Sequence, residues 1–220
     1  MTLCGRVCQT AAVTTVGRRE RHKERTRKAL QEAALRLFEE NGFEGTTVRD
    51  IAVAAGVTER TFFRYFPSKE DLVLGEVLEI IPPLCRHIAE RPMSEPPFTA
   101  VLNALFAFAD TRVTSLGILF SGEPARFFTN PRPTRSVLFE FEDGVADALR
   151  ERLAADDPGR DGEAREAAGL RSSVYARAAV AALRSALLAH SALPEERRTA
   201  GEIDRLLRAA FAVLENGDCR

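Results

Sequence analysis

The sequence is poor in the residues that build metal centres and disulfide frameworks. It has four Cys, three His and no Trp among 220 residues. The cysteines form no C-x-x-C pair and have no His at a metal-ligand spacing, which fits a reducing cytoplasm better than a zinc site or a disulfide framework. These cysteines are Cys4, Cys8, Cys85 and Cys219. We therefore expect no metal and no cofactor.

Apolar runs long enough to cross a membrane are also lacking. The longest stretch of low polarity, residues 176–189, contains Arg177 and Arg184 and is shorter than the roughly 20 apolar residues that a helical span requires. Residues 1–17 lack the basic start and the continuous apolar run of a secretory signal. We expect no membrane partner and a cytoplasmic protein.

Charge is nearly balanced over the whole chain but unevenly distributed along it. The formal net charge is −1, so the overall field does not attract nucleic acid. Residues 18–28, RRERHKERTRK, nevertheless contain seven basic and two acidic side chains. This density suits contact with a phosphate backbone, although a solvated arm without function is an open alternative.

Hydrophobic periodicity indicates helices throughout, and no segment shows convincing strand alternation. In the first helix apolar residues recur at i, i+3, i+4, i+7 and i+8, and Gly42 supplies the stop. The predicted helices cover residues 26–41, 47–55, 59–65, 68–81, 101–112, 133–155, 164–192 and 202–214. The fold class is therefore predicted to be all-α, with an N-terminal three-helix unit followed by a larger helical domain.

Capping residues and breakers define the short N-terminal helices. Thr47 and Asp50 have the spacing of a capping box, and Thr58 is a suitable N-cap for the next helix. Ser68 and Asp71 repeat the capping-box spacing. The pair Pro82-Pro83 is expected to kink or terminate the fourth helix, and residues 91–97, RPMSEPP, cannot be helical throughout.

The second and third predicted helices have the residue sizes of a helix-turn-helix. Small residues, Ala52 and Ala55, allow close approach of the helices, and Gly56 permits the chain reversal. The small core is expected to consist of Ile51, Val57, Phe62 and Phe66. The outward side chains are Arg60, Thr61 and Arg64; arginine pairs bidentately with guanine in the major groove. A helical hairpin with solvated arginines is the structural alternative.

Four segments of this region resemble the DNA-binding domain of TetR-type transcriptional regulators. They are Gly42-Phe43, TTVRDIA at 46–52, AGVT at 55–58 and TFFRYFPSKEDL at 61–72. The resemblance implies an all-helical, dimeric, ligand-responsive repressor whose last two helices form the dimer interface. The C-terminal segment YARAAVAALRSALL, residues 175–188, with residues 202–214, is similar to actinobacterial members grouped with mycofactocin-system regulators.

The resemblance also implies which residues face DNA. By family position these are Thr47, Arg60, Thr61, Arg64, Tyr65 and Lys69. We expect the same surface to include Arg49, Thr58 and Phe63, together with Arg25, Arg27 and Lys28 from the basic segment. Many relatives have Tyr where this chain has Phe63, so the usual phenolic contact to a phosphate is missing there, and Tyr65 is a candidate to replace it.

A cluster of aromatic residues suggests a ligand pocket in the C-terminal part. Eight of the fourteen Phe residues lie between positions 98 and 141, and ligand sites are mostly apolar with a few polar anchors. The candidate ligand-binding residues are Phe106, Arg112, Arg126, Phe127 and Tyr175. The expected ligand is a small apolar or amphipathic molecule, and the open alternative is that these aromatics are ordinary core.

Catalytic signatures are missing, so we do not expect an enzyme. The histidines at 22, 87 and 190 have no metal-ligand spacing, and neither a G-x-S-x-G motif nor a phosphate-binding glycine loop is present. We expect a homodimeric, sequence-specific repressor of operator DNA that a ligand releases; the alternative is a non-specific or architectural DNA-binding protein. The predicted division is a flexible basic arm at 1–23, a DNA-binding domain at 24–84, and a ligand-binding and dimerisation domain at 98–215.

Overall fold

A computed structural model describes residues 10–108, 137–156 and 162–217. This part of the chain is helical and contains no strand, which confirms the all-α prediction. The helices are α1 (Thr10–Gly45), α2 (Val48–Ala54), α3 (Glu59–Tyr65), α4 (Lys69–Ala89), α5 (Pro97–Phe108), α6 (Val137–Asp156), α7 (Gly162–Ser191) and α8 (Ala200–Asn216), with a 3₁₀ turn at Glu195–Arg197.

The chain divides into two compact units, Met1–Leu72 and Val73–Arg220. The division falls within α4, close to its start. The first unit contains the basic segment and the helix-turn-helix, and the second contains the remaining helices. The predicted domain limits at residues 24, 84, 98 and 215 remain predictions.

Helix α1 begins well before the predicted start at Thr26. The arm predicted to be flexible, residues 1–23, is helical over its described part, 10–23. Arg, Lys and Glu are good helix formers, and the Thr26 hydroxyl donates to the His22 carbonyl at 3.0 Å. The helix is interrupted where predicted, because Gly42 has a φ of 74°, a conformation that glycine adopts without the penalty of a Cβ atom.

The predicted caps of α2, α3 and α4 are confirmed. Thr47 and Asp50 form a reciprocal capping box at the start of α2, and the Thr58 hydroxyl accepts from the backbone N–H of Thr61 at 3.2 Å. The Ser68 hydroxyl accepts from the N–H of Asp71 at 3.0 Å. These bonds satisfy N–H groups that have no intrahelical partner, and so they fix where each helix begins.

Helix α4 continues through Pro82-Pro83 to Ala89. Of the two predicted effects, a kink or an end of the helix, the second is therefore wrong. A proline inside a helix removes the hydrogen bond to the carbonyl four residues earlier, here the carbonyls of Leu78 and Glu79. Both of those residues lie on the exposed side of α4.

The second unit has a core formed by α4, α5, α6, α7 and α8. Its largest fully buried side chains include Ile80, Leu84, Phe141 and Phe211. Close packing of α4 on α6 depends on Gly144: a Cβ atom added there would lie 2.9 Å from Ile81 Cγ2 and 3.0 Å from Cys85 Sγ. Since carbon atoms pack at about 3.5–4.0 Å, a larger residue at this position would require the helices to separate.

The connection between α4 and α5 is irregular, as its composition predicts, and a buried arginine holds it. Arg152 on α6 is only 3% exposed, and its Nε donates to the carbonyl of Arg91 at 3.3 Å. Its guanidinium also donates to the carbonyls of Pro92 and Glu95. The Glu95 carboxylate in turn pairs with Arg91. This network fixes the turn from which α5 begins.

The later helices agree with the predicted periodicity to within a few residues where they are described. The predicted segments at 109–112 and 133–136 lie outside the described residues. Among the described helices, none is both long enough and apolar enough to cross a membrane.

Candidate nucleic-acid interface

The helix-turn-helix is supported by a small apolar core within the first unit. Ile51, Ala52, Phe62 and Phe66 are buried, together with Leu30 and neighbouring apolar residues of α1, whereas Val57 is only half-buried. Gly56 has a φ of 68°, so the turn uses the left-handed conformation that glycine permits. The core fixes one face of α3 inward and leaves the other free.

The free face of α3 presents two arginines and an aromatic ring. Arg60 and Arg64 are exposed and Thr61 is half-buried. Phe63 is 52% exposed, and its ring packs edge-on against Phe62 at a centroid distance of 5.5 Å. An exposed helix face with two guanidinium groups has the donors that recognise guanine edges in the major groove.

The hydroxyl groups predicted to face DNA are already used in caps. The Thr47 hydroxyl donates to the Asp50 carboxylate at 2.5 Å, and this bond is the main reason why the pKa of Asp50 is lowered. The Thr58 hydroxyl lies 3.1 Å from that of Thr61. Arg49, between the cap residues of α2, is exposed. These threonines therefore position the helix ends.

Tyr65 is half-buried at the C-terminal end of α3. The guanidinium carbon of Arg64 lies 5.2 Å from the centre of its ring, a cation–π distance. The ring thus orients Arg64. The replacement of the phenolic contact to a phosphate, which Phe63 cannot make, by the Tyr65 hydroxyl stays a prediction.

Lys69 has partners within the protein. Its Nζ donates to the carbonyl of Phe43 at 2.7 Å and to that of Thr46 at 3.1 Å, and it lies 4.2 Å from the centre of the Phe43 ring. An ammonium group has three donors, so two are occupied by these carbonyls. From the sequence, Lys69 was predicted only to contact DNA. Its second role, holding the α1–α2 connection, was missed because the residues that it contacts are more than twenty positions away.

The three predicted cations of the basic segment lie on α1. Arg25 is exposed, the guanidinium carbon of Arg27 lies 5.4 Å from the centre of the Phe66 ring, and Lys28 is 3.7 Å from the Glu32 carboxylate. Arg27 thus contributes to packing against the α3–α4 connection. All three remain candidates for phosphate contact.

A basic groove lies between the N-terminal part of α1 and the end of α3. We use this name for the open depression of about 480 Å³ that is lined by Arg18, Arg19, His22, Lys23, Arg64 and Tyr65. The four residues from α1 were not among the predicted site residues. Their i, i+1, i+4, i+5 spacing, which places them on one side of a helix, was the signal available in the sequence.

The predicted ligand-binding residues are only partly described. Arg112, Arg126 and Phe127 lie outside the described residues. Tyr175 packs edge-on against Phe98 at a centroid distance of 5.2 Å, and the guanidinium carbon of Arg208 lies 4.4 Å from the centre of the Phe106 ring. The aromatic rings of Phe106 and Tyr175 are therefore part of the packing of the second unit.

Two further observations concern clusters of metal-ligand side chains and the thiol of Cys85. They contain no group of three or more His, Cys, Asp or Glu side chains arranged to hold a metal ion. Burial raises the pKa of the Cys85 thiol to about 11, with a further contribution from the charge of Asp147. This thiol is therefore protonated at neutral pH, and the thiolate is the nucleophilic form.

The helix-turn-helix region is similar in sequence to known bacterial regulatory proteins. Residues 30–75 match the family model described as bacterial regulatory proteins, tetR family. The chain is 42% identical over 91 residues to the transcriptional regulator TcmR of Streptomyces glaucescens, covering 41% of this chain and 40% of that protein. It is 41% identical over 61 residues to a mycofactocin biosynthesis regulator, MftR, of Mycobacterium tuberculosis, covering 28% of this chain and 29% of that protein.

These alignments span less than half of the relatives they match. A broader likeness is structural: the Thermus thermophilus transcriptional repressor FadR, solved with lauroyl-CoA, is similar with a TM-score of 0.50 and 22% identity, over 88% of this chain and 95% of that one. At this identity the likeness concerns the fold, and it extends beyond the helix-turn-helix.

Proposed function

We propose that this chain, which belongs to the TetR family of bacterial regulatory proteins, is a sequence-specific transcriptional regulator that binds double-stranded operator DNA in the cytoplasm. The observation that supports this most strongly is the free face of α3. Arg60 and Arg64 are exposed there, while Phe62 on the same helix is buried. A buried face fixes the helix on its domain, and exposed arginines on the other face are available to pair with guanine edges.

A homodimer is the proposed active form. Along α7, exposed apolar or small residues occur at Leu170, Val174, Ala181 and Leu188, with spacings of four and seven residues that place them on one side of the helix. Val213 on α8 is also exposed. Exposed apolar side chains that repeat along one side of a helix are the kind of surface through which chains associate. Light scattering on the purified chain measures the mass that this proposal requires.

Release by a small apolar or amphipathic ligand is the proposed means of control. The second unit contains aromatic side chains, Phe98, Phe106 and Tyr175, that are only partly buried against its core. We propose that a ligand bound in this unit shifts α4 and changes the separation of the two α3 helices in the dimer. Two half-sites one helical turn apart require about 34–36 Å between recognition helices, so a small change in separation weakens binding and relieves repression.

Non-specific binding is the alternative that the experiment must distinguish. A protein that contacts only the phosphate backbone binds all sequences alike, because phosphates carry no sequence information. We therefore select bound fragments from a genomic library, then measure Kd for a selected duplex and for a scrambled duplex at one fixed salt concentration. Competitor-resistant binding is expected.

Substitution of the α3 arginines then tests how the sequence is read. For Arg60→Ala and Arg64→Ala we expect a loss of about 1–3 kcal/mol for each lost bidentate contact, with relaxed preference at one base position. Arg36→Ala is the matched control, because Arg36 is exposed on α1 outside the helix-turn-helix. Equal affinity of the wild-type chain for selected and scrambled duplexes would contradict the proposed function.

A further inference from the structure

We infer that the basic groove binds a backbone phosphate of the DNA duplex, beyond the base pairs that α3 reads. This inference rests on the proposed function and adds to it a second contact surface, formed by the N-terminal part of α1. The groove is lined by Arg18, Arg19, His22 and Lys23 on one side and by Arg64 and Tyr65 on the other.

The geometry joins the groove to the face of α3 through one residue. Arg64 lies on the exposed side of α3 and also lines the groove, and its guanidinium is oriented by the Tyr65 ring at 5.2 Å. The groove therefore begins where the base-reading face ends. A DNA strand that runs past the C-terminal end of α3 would next meet the α1 side of the groove.

The charge of the groove fits a phosphate. Four of its six lining residues are Arg or Lys, a fifth is His, and none of the six is acidic. Glu20 and Glu24 belong to the same part of α1 but do not line the groove. Arginine and lysine donate strong, charge-assisted hydrogen bonds to phosphate oxygens, and an open surface admits a continuous backbone rather than only a small ion.

The side chains of the N-terminal part of α1 do not belong to the hydrophobic core. Residues 18–25 are all exposed, and from residue 17 onward, where burial is described, the first buried side chain of α1 is that of Leu30. A helix that is polar on every side obtains little stability from packing. Its cations can therefore be replaced without removing buried contacts, which makes the inference testable by substitution.

The test compares two triple variants with the same change in net charge. In the groove variant, Arg18, Arg19 and Lys23 are each replaced by Gln. In the control variant the replaced residues are Arg36, Arg86 and Arg171, which are exposed and do not line the groove. Thermal unfolding of both variants checks that the fold is intact. Affinity for a duplex obtained by genomic selection is then measured at four salt concentrations.

The salt dependence is the primary result. Each phosphate contact contributes about 0.9 to the slope of log K against log salt concentration, so we expect the groove variant to lose about two to three units of slope. The preference for the selected over the scrambled duplex should persist. Removing the flanking base pairs should lower the affinity of the wild-type chain to that of the groove variant, because both changes remove the same contact.

Three outcomes would overturn the inference, and each differs from failure of the proposed function. The first is a groove variant with the slope of the control. The second is no effect of flank removal on the wild-type chain. The third is saturable binding of inorganic phosphate without DNA, seen by calorimetry and lost in the groove variant, which would identify a free-anion site. The proposed function itself fails only if the wild-type chain does not prefer the selected duplex.

Discussion

Replacing Gly144 by Ala should destabilise the second unit, although the same change stabilises most helices. The added Cβ atom would lie 2.9 Å from Ile81 Cγ2 and 3.0 Å from Cys85 Sγ. Neither neighbour is the far end of a flexible exposed chain, since Ile81 is buried and Cys85 half-buried on α4. Overpacking of this kind costs about 1–3 kcal/mol, whereas Ala instead of Gly in a helix gains about 0.5–1 kcal/mol. We expect a net loss between about zero and 2.5 kcal/mol.

A matched substitution separates the two effects. Gly169 lies within α7, and a Cβ atom there would meet only Arg150 Nε, at 4.0 Å. Gly169→Ala should therefore show the gain in helix propensity without the steric cost. Both variants are unfolded in urea, and the shift in midpoint is compared at unchanged m-value. The difference between them isolates the steric contribution, which we expect to be about 1–3 kcal/mol. Equal stabilisation of both variants would refute the argument that Gly144 is required for close packing of α4 on α6.

Two further predictions concern polar groups of the second unit. Arg152→Met retains most of the side-chain volume but removes the donors to the carbonyls of the α4–α5 connection. We therefore expect the free energy of unfolding in urea to fall by about 1–3 kcal/mol. A variant as stable as the wild type would show that water replaces these bonds. Hydrogen bonds from Arg205, supported by Arg197, lower the pKa of Glu202 from 4.5 to about 2; this contribution to stability is present above pH 4.5 and is lost as the pH falls through about 2. The melting temperature of Glu202→Gln should therefore change less between these pH values than that of the wild type. Glu151→Gln is the control. If the melting temperatures of the two variants fall equally steeply with pH, the stabilising role of ionised Glu202 is contradicted.

Local sequence signals predicted the beginnings of the short helices well. Thr47 with Asp50, and Thr58 before α3, are separated from the groups they cap by only three residues. Such contacts are decided by the local chain, so spacing is sufficient to find them. The position of Gly42 follows from the same kind of reasoning, since the positive φ is a property of one residue.

The expectations that failed, or that could not be formed, depend on contacts between distant residues. Pro82-Pro83 do not end α4, and the residues on either side of them, Ile81 and Leu84, are packed in a core shared with later helices. The partners of Lys69 are 26 and 23 residues away. The basic groove requires the start of α1 and the end of α3 to lie side by side, and neither segment indicates this alone. Charge density marked residues 18–28 as a whole, and only the structure showed which of their side chains line the groove with Arg64 and Tyr65.

The helical state of residues 18–25 has a consequence for the thermodynamics of the DNA contact that we infer for them. A flexible arm that becomes ordered on a duplex loses about 1–2 kcal/mol of backbone entropy per residue at the moment of binding. Here that entropy is already lost when the chain folds, so in the contact that we infer the charges of α1 would meet DNA in a fixed arrangement. Coupled folding and binding produces a large negative heat-capacity change. Association through a preformed helix instead has the smaller heat-capacity change of two rigid surfaces that dock.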